Sequence, residues 1–81
     1  MSQDEQEQPK SVADVMLDVL RGASGEWMTR KQIATKMGRP GGTLLPHDVD
    51  VLGGLVAGGS VKQERRSIGL VKQEYIYRVE V

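Results

Sequence analysis

Residues 49–79 decide the fold, and they read VDVLGGLVAGGSVKQERRSIGLVKQEYIYRV. The first part of this stretch predicts a helix over residues 45–57, because its apolar side chains recur at helical spacing. Those side chains are Val49, Leu52, Leu55 and Val56. Pro46 suits the first turn of that helix, and glycines follow its end. The second part predicts a β-hairpin, so the stretch as a whole predicts a helix that leads directly into two strands.

The predicted hairpin consists of a first strand over residues 60–66, a turn at residues 67–69 and a last strand over residues 71–81. Alternation in the last strand predicts two faces. One face carries Tyr75, Tyr77, Val79 and Val81, and the other carries Glu74, Ile76, Arg78 and Glu80. Both tyrosines are expected to pack beneath the hairpin.

Two further helices are predicted before this stretch. The first covers residues 12–21, with Ser11 as its N-cap and Gly22 in the left-handed position at its end. The second covers residues 30–37, where Thr29 and Gln32 have the spacing of a capping box. A very short strand is expected at residues 27–28. Trp27 is expected in the core, and Asp48 is expected to face solvent near the start of the third helix.

The chain of 81 residues fits one domain. Residues 1–10 contain three acidic residues and, apart from Met1, no apolar residue, which predicts a disordered acidic tail before a folded domain at residues 11–81. No apolar run is long enough to span a bilayer, and the acidic start does not resemble a signal peptide. A cytoplasmic protein without a membrane partner is therefore expected.

The chain contains no cysteine, which excludes disulfides and thiolate metal sites. His47 is the single histidine, and it lacks both neighbouring metal ligands and a nucleophile. We therefore expect no metal, no cofactor, no small-molecule substrate and no enzymatic activity.

The net charge is zero, but the charges are unevenly distributed. Residues 27–42 contain four basic residues and no acidic residue. Residues 60–78 contain five basic and two acidic residues. The total charge alone gives no reason to expect a polyanionic partner, but the two basic segments favour one.

The order helix, short strand, helix, turn, helix and hairpin resembles the winged helix-turn-helix superfamily. The resemblance covers residues 11–81 and rests on patterns of residue type. These are Leu52-x-x-Leu55-x-x-x-Gly59-x-Val61, Tyr75-Ile76-Tyr77-Arg78-Val79 and Ile33-Ala34-x-x-x-Gly38. The resemblance implies an α+β fold, a three-helix bundle with a C-terminal β-hairpin wing, and a small transcriptional regulator that binds double-stranded DNA.

The third helix departs from that family, in which it normally presents polar side chains to base edges in the major groove. Its predicted outward residues are His47, Asp50, Val51 and Gly54. Because a carboxylate is repelled by phosphates, we expect the wing and the second helix to make most contacts, with limited reading by the third. The predicted DNA-contacting residues are Lys31, Lys36, Arg39, His47, Lys62, Arg65, Arg66 and Lys72.

Two alternatives stay open at the level of sequence. One is a protein-interaction winged helix, in which Gly53 and Gly54 permit close approach of a partner without DNA binding. The other is a homodimer, which would contact more base pairs than one small domain can cover.

Overall fold

The structure is a computed structural model that describes residues 10–80. The predicted acidic tail therefore lies outside the described residues, except for its last member, Lys10, whose ammonium group donates to the Asp18 carboxylate. Val81 also lies outside them. The folded part is a small α+β domain with three α-helices and a three-stranded antiparallel sheet. No helix within residues 10–80 is long and apolar enough to cross a membrane.

The elements follow one another in the predicted order. They are α1 (Val12–Gly22), β1 (Met28–Thr29), α2 (Arg30–Lys36), a short 3-10 turn (Pro40–Gly42), α3 (Pro46–Ala57), β2 (Lys62–Ile68) and β3 (Lys72–Arg78).

The first two helices begin at the capping residues that the sequence predicted. The Ser11 hydroxyl accepts the Asp14 amide at 3.1 Å, which caps α1. At α2 the capping box is present, since the Thr29 hydroxyl accepts the Gln32 amide and the Gln32 side chain accepts the Thr29 amide. The prediction for Gly22 was wrong. The helix includes Gly22, and the left-handed residues come later, at Ser24 and Gly25.

The end of α3 is fixed by backbone geometry rather than by side chains. Gly59 has φ +86°, and its amide donates to the carbonyl of Val56. The Ser60 amide donates to the carbonyl of Leu55 at 3.0 Å, which completes a Schellman motif. A left-handed residue at this point turns the chain away from the helix axis and towards β2.

The sheet has the order β1-β3-β2, so the last strand lies in the centre. Met28 pairs with Tyr77 on one side, and Gln63 pairs with Tyr77 on the other. The predicted turn was two residues too early. Pairing between β2 and β3 continues as far as Ile68 and Lys72, so the turn comprises residues 69–71.

The core lies between the helices and one face of the sheet. Its buried members are Met16, Leu20, Met28, Ile33, Leu52, Val61, Tyr77 and Val79. Ile76 is also buried but does not belong to this cluster, because alternate residues of β3 face opposite sides of the sheet. The predicted two faces are thus confirmed within β3, which ends at Arg78 and not at Val81, a residue outside the described part of the chain. The hairpin extends beyond the helices, and every residue of β2 is exposed.

Candidate nucleic-acid interface

The register of the hairpin divides its polar side chains between two faces. Directly paired residues lie on the same side of an antiparallel ladder, and the side alternates along each strand. One side, here called the acid-free face, is continuous with the core through Tyr77, and its exposed members are Gln63, Arg65, Ser67, Gln73 and Tyr75. The opposite side, the glutamate face, carries Lys62, Glu64, Arg66, Ile68, Lys72 and Glu74.

Two of the three cations named on the glutamate face, Lys62 and Arg66, have carboxylate partners. Arg66 pairs with Glu74, the residue directly opposite it, at 2.7 Å. Lys62 pairs with Glu80 at 3.0 Å. The hydrogen bond and the charge of Lys62 lower the pKa of Glu80. These two predicted DNA contacts are therefore already engaged, and a phosphate would have to compete with a carboxylate for each of them.

Arg65 is placed differently from its neighbour Arg66. It lies on the acid-free face, directly across from Tyr75, and within residues 10–80 no carboxylate lies within salt-bridge distance of it. Gln63, Ser67 and Gln73 share that face, so its exposed polar groups are cations, amides and hydroxyls. All of these can donate hydrogen bonds to phosphate oxygens.

A second arginine, Arg30 at the start of α2, extends this face. Its guanidinium carbon lies 5.2 Å from the centre of the Tyr75 ring and 5.9 Å from that of Tyr77. Its Nε donates to the Tyr77 hydroxyl at 3.0 Å, and the Gln63 amide donates to the same hydroxyl at 3.3 Å. Stacking on aromatic rings holds the guanidinium in place without neutralising its charge.

Arg30 is a site residue that the sequence analysis missed. It is separated from Tyr77 by 47 positions, and no local pattern links the two. The placement of the tyrosines was also partly wrong. Tyr77 is buried, but Tyr75 is 39% exposed, because it lies two residues nearer the hairpin tip.

The start of α2 and the hairpin form a shallow cleft. It is lined by Thr29, Arg30, Lys31, Gln73, Glu74 and Tyr75. Lys31 is therefore brought next to the hairpin, as the hypothesis of a shared basic surface requires. Lys36 is not, since it lines a different depression together with Asp18 and Val19 of α1. The predicted surface thus includes one of the two α2 lysines.

Arg39 is held in an ion pair with Asp48, which does not face solvent as expected. Two hydrogen bonds of 2.8 Å join the Arg39 guanidinium to both carboxylate oxygens of Asp48, and that carboxylate also accepts the Leu45 amide at 2.8 Å. The Asp48 side chain is 1% exposed and that of Arg39 is 27% exposed. The pKa of Asp48 is lowered chiefly by the hydrogen bond from Arg39, while burial opposes the shift. Because Arg39 is paired with Asp48, we exclude it from the candidate interface.

Three of the four residues predicted on the outer side of α3 are exposed, but Val51 is half-buried and packs against the core, so its predicted position was wrong. His47 is exposed in the first turn, and Asp50, Gly53 and Gly54 are exposed after it. At both glycines the space that a Cβ would occupy is open. Such a surface presents one acid and little side-chain material to a base edge.

Trp27 is half-buried and lies outside the core cluster, contrary to expectation. The guanidinium of Arg78 lies over its ring at 5.1 Å. The Arg78 Nε is buried and has no hydrogen-bond partner within residues 10–80. This pair covers the sheet on the side opposite the core.

No group of three or more potential metal ligands occurs within residues 10–80. Comparison with protein-family models, curated proteins and solved structures found no match to this chain.

Proposed function

We propose that this chain is a winged helix-turn-helix protein that binds double-stranded DNA through the hairpin and the start of α2, and acts as a small transcriptional regulator. The observation that carries the proposal is the separation of charge across the hairpin. Arg65 and Arg30 lie beside Tyr75 on the acid-free face. Glu64 and Glu74 belong to the other face of the ladder. Lys31 lines the adjacent cleft, whose one acid within residues 10–80, Glu74, is already paired with Arg66. A neutral chain can thereby present a locally cationic surface.

The chemistry of this surface suits phosphates better than base edges. Guanidinium groups bind phosphate oxygens in a bidentate manner, and amide and hydroxyl groups add neutral donors. Phosphate contacts position a protein on a duplex without reading its sequence. The exposed side of α3 adds Asp50 and two glycines, so sequence reading by α3 is limited.

Adjacent arginines provide a matched test of this proposal. Arg65→Gln and Arg66→Gln remove the same charge at neighbouring positions, but only Arg65 lies on the acid-free face, and Arg66 is already paired with Glu74. Binding of a fluorescent duplex is measured by anisotropy at several salt concentrations. We expect Arg65→Gln to weaken binding at low salt by about tenfold and to reduce the salt slope by about 0.9, as for one lost phosphate contact.

Arg66→Gln should change both quantities much less than Arg65→Gln does. Equal losses for the two variants would show that only overall charge matters and would refute the assignment of the face. If the unmodified protein does not bind the duplex at low salt, and its hairpin amide shifts do not move on titration, the DNA proposal itself fails.

A protein partner on α3 is the second candidate. The open space above Gly53 and Gly54 would let a partner helix approach the α3 backbone closely. In that case the protein should not bind the duplex, and Gly54→Leu should abolish its association with the partner. Sedimentation of the protein alone would reveal a homodimer formed through the same surface.

A further inference from the structure

The tip of the hairpin carries exposed apolar side chains where polar turn residues are usual. The turn comprises Gly69, Leu70 and Val71, and only Gly69, with φ +80°, serves the turn geometry. Leu70 is fully exposed, Val71 is 91% exposed, and Ile68 at the end of β2 is 41% exposed. Turns of this kind favour Asn, Asp, Ser and Gly, so the local backbone does not account for Leu70 and Val71.

Cations flank this apolar tip on both strands. Lys72 follows Val71 directly, and Arg65 and Arg66 lie on β2 before Ile68. Within residues 10–80, no carboxylate lies within salt-bridge distance of Lys72 or Arg65. The tip thus has apolar side chains at its end and cations a few residues back along both strands. This arrangement complements a partner whose surface is anionic and whose interior is apolar.

The stacked bases of a duplex between two phosphate backbones have this character. We propose that the hairpin tip is an apolar wedge, in which Leu70, supported by Val71, enters the minor groove and partly unstacks a base step while Lys72 and Arg65 contact the flanking phosphates. This inference rests on the proposed DNA-binding function and adds the mode of contact. Proteins that kink DNA from the minor groove use isolated leucine, isoleucine or similar side chains in this way.

The dimensions of the tip favour this occupant over a protein. A stable protein interface buries about 800 Å² on each partner, and three side chains at the end of a narrow hairpin supply only part of that area. The wedge requires only one or two side chains, because the phosphates supply most of the affinity. It also implies a preference for steps that unstack easily, such as TA.

The experiment compares an apolar change with a charge change at the tip. Leu70→Ser removes the wedge without altering charge, and the full exposure of Leu70 means that the fold loses no packing. Lys72→Gln removes one cation two positions away. The probe is a short duplex with a central TA step and, beside it, a fluorescent adenine analogue that brightens when it is unstacked. Affinity and brightness at saturation are measured between about 50 and 200 mM salt.

We expect Leu70→Ser to weaken binding by about tenfold at every salt concentration, because loss of apolar contact releases no counterions. The analogue should brighten with the unmodified protein and stay dim with Leu70→Ser at saturation. Lys72→Gln should instead reduce the salt slope by about 0.9 and keep the brightening.

Three results would overturn the wedge. If Leu70→Ser binds and brightens the probe like the unmodified protein, the wedge is wrong and the proposed DNA-binding function stands. If the unmodified protein does not bind the duplex, both fail together. If it binds phosphatidylserine vesicles in a Leu70-dependent manner and leaves the probe dim, the tip is a lipid contact instead.

Discussion

Replacement of Asp48 by asparagine should destabilise the domain strongly, although Asp48 contacts no proposed ligand. The carboxylate is buried and accepts two hydrogen bonds from Arg39 and one from the Leu45 amide. Asp48→Asn keeps an oxygen that can accept the Leu45 amide, but it removes the charge that balances Arg39. Asp48→Ala removes both interactions. The two variants therefore separate the ion pair from the cap.

The magnitude follows from the burial of the two partners. Removal of one member of a fully buried ion pair costs about 3–5 kcal/mol. Because the Arg39 side chain is 27% exposed, water can solvate part of the released charge, and we expect a smaller cost of about 2 kcal/mol for Asp48→Asn. The lost amide acceptor should add about 1 kcal/mol in Asp48→Ala. For a domain of this size, 2 kcal/mol lowers Tm by about 10 °C.

The pH dependence has a defined sign. Arg39 and the Leu45 amide stabilise the charged form, so the folded-state pKa of Asp48 lies below its unfolded value of about 3.9. This contribution is fully present above the unfolded pKa and is lost as the pH falls through the folded pKa. The stability difference between the unmodified protein and Asp48→Asn should therefore be constant near neutral pH and shrink below about pH 4.

Urea unfolding followed by circular dichroism at a series of pH values measures these quantities. Asp50→Asn is the matched control, since Asp50 is exposed two positions along the same helix and should change stability by less than about 0.5 kcal/mol. In an Arg39→Gln background, Asp48→Asn should cost far less, because its charged partner is gone. If Asp48→Asn costs no more than Asp50→Asn, the pair contributes nothing and the reasoning is refuted.

Three further predictions concern the elements that position the candidate interface, and thermal unfolding tests each. Gly59→Ala should lower stability by about 1–2 kcal/mol, because Gly59 has φ +86°. Gly54→Ala lies in open space within α3 and should raise stability by up to about 1 kcal/mol. Similar effects of the two variants would contradict the role of Gly59 in the Schellman motif. Thr29→Ala should cost about 1 kcal/mol through loss of the capping box, and an unchanged Tm would contradict it. Tyr77→Phe should cost about 1 kcal/mol, because the Tyr77 hydroxyl accepts from Arg30, and it should also broaden the Arg30 Nε resonance; no change in either would count against the anchor.

Local signals in the sequence predicted the elements of the fold well. The Thr29 capping box, the apolar spacing around Leu52 and the alternation through Tyr77 each depend on residues close in the chain. The turn was misplaced because Leu70 and Val71 resemble strand residues, whereas Ser67 resembles a turn residue. Only the observed pairing of Ile68 with Lys72 shows where the ladder ends.

The candidate site was predicted less well, because contacts between distant residues decide which cations are paired and which stay free to bind a ligand. The sequence identified Arg39, Arg65 and Arg66 as equivalent cations. Folding gives Arg39 a buried carboxylate and Arg66 a cross-strand glutamate, and leaves Arg65 beside Tyr75. Alternation alone indicates that Arg65 and Arg66 face opposite sides, but it cannot show which side the helices cover or that Arg30 lies there.

This sorting explains how a chain with zero net charge could hold a polyanion. At physiological ionic strength a charge is screened over about 8 Å, which is close to the separation of side chains on opposite faces of a sheet. A phosphate at the acid-free face would therefore respond to Arg65 and Arg30 more than to Glu64 on the opposite face. Exchange of Gln63 for glutamate adds one negative charge on that face and removes the amide that donates to the Tyr77 hydroxyl. If local charge governs binding, Gln63→Glu should weaken DNA binding several-fold more than Ser60→Glu, an equal charge change outside the two strands.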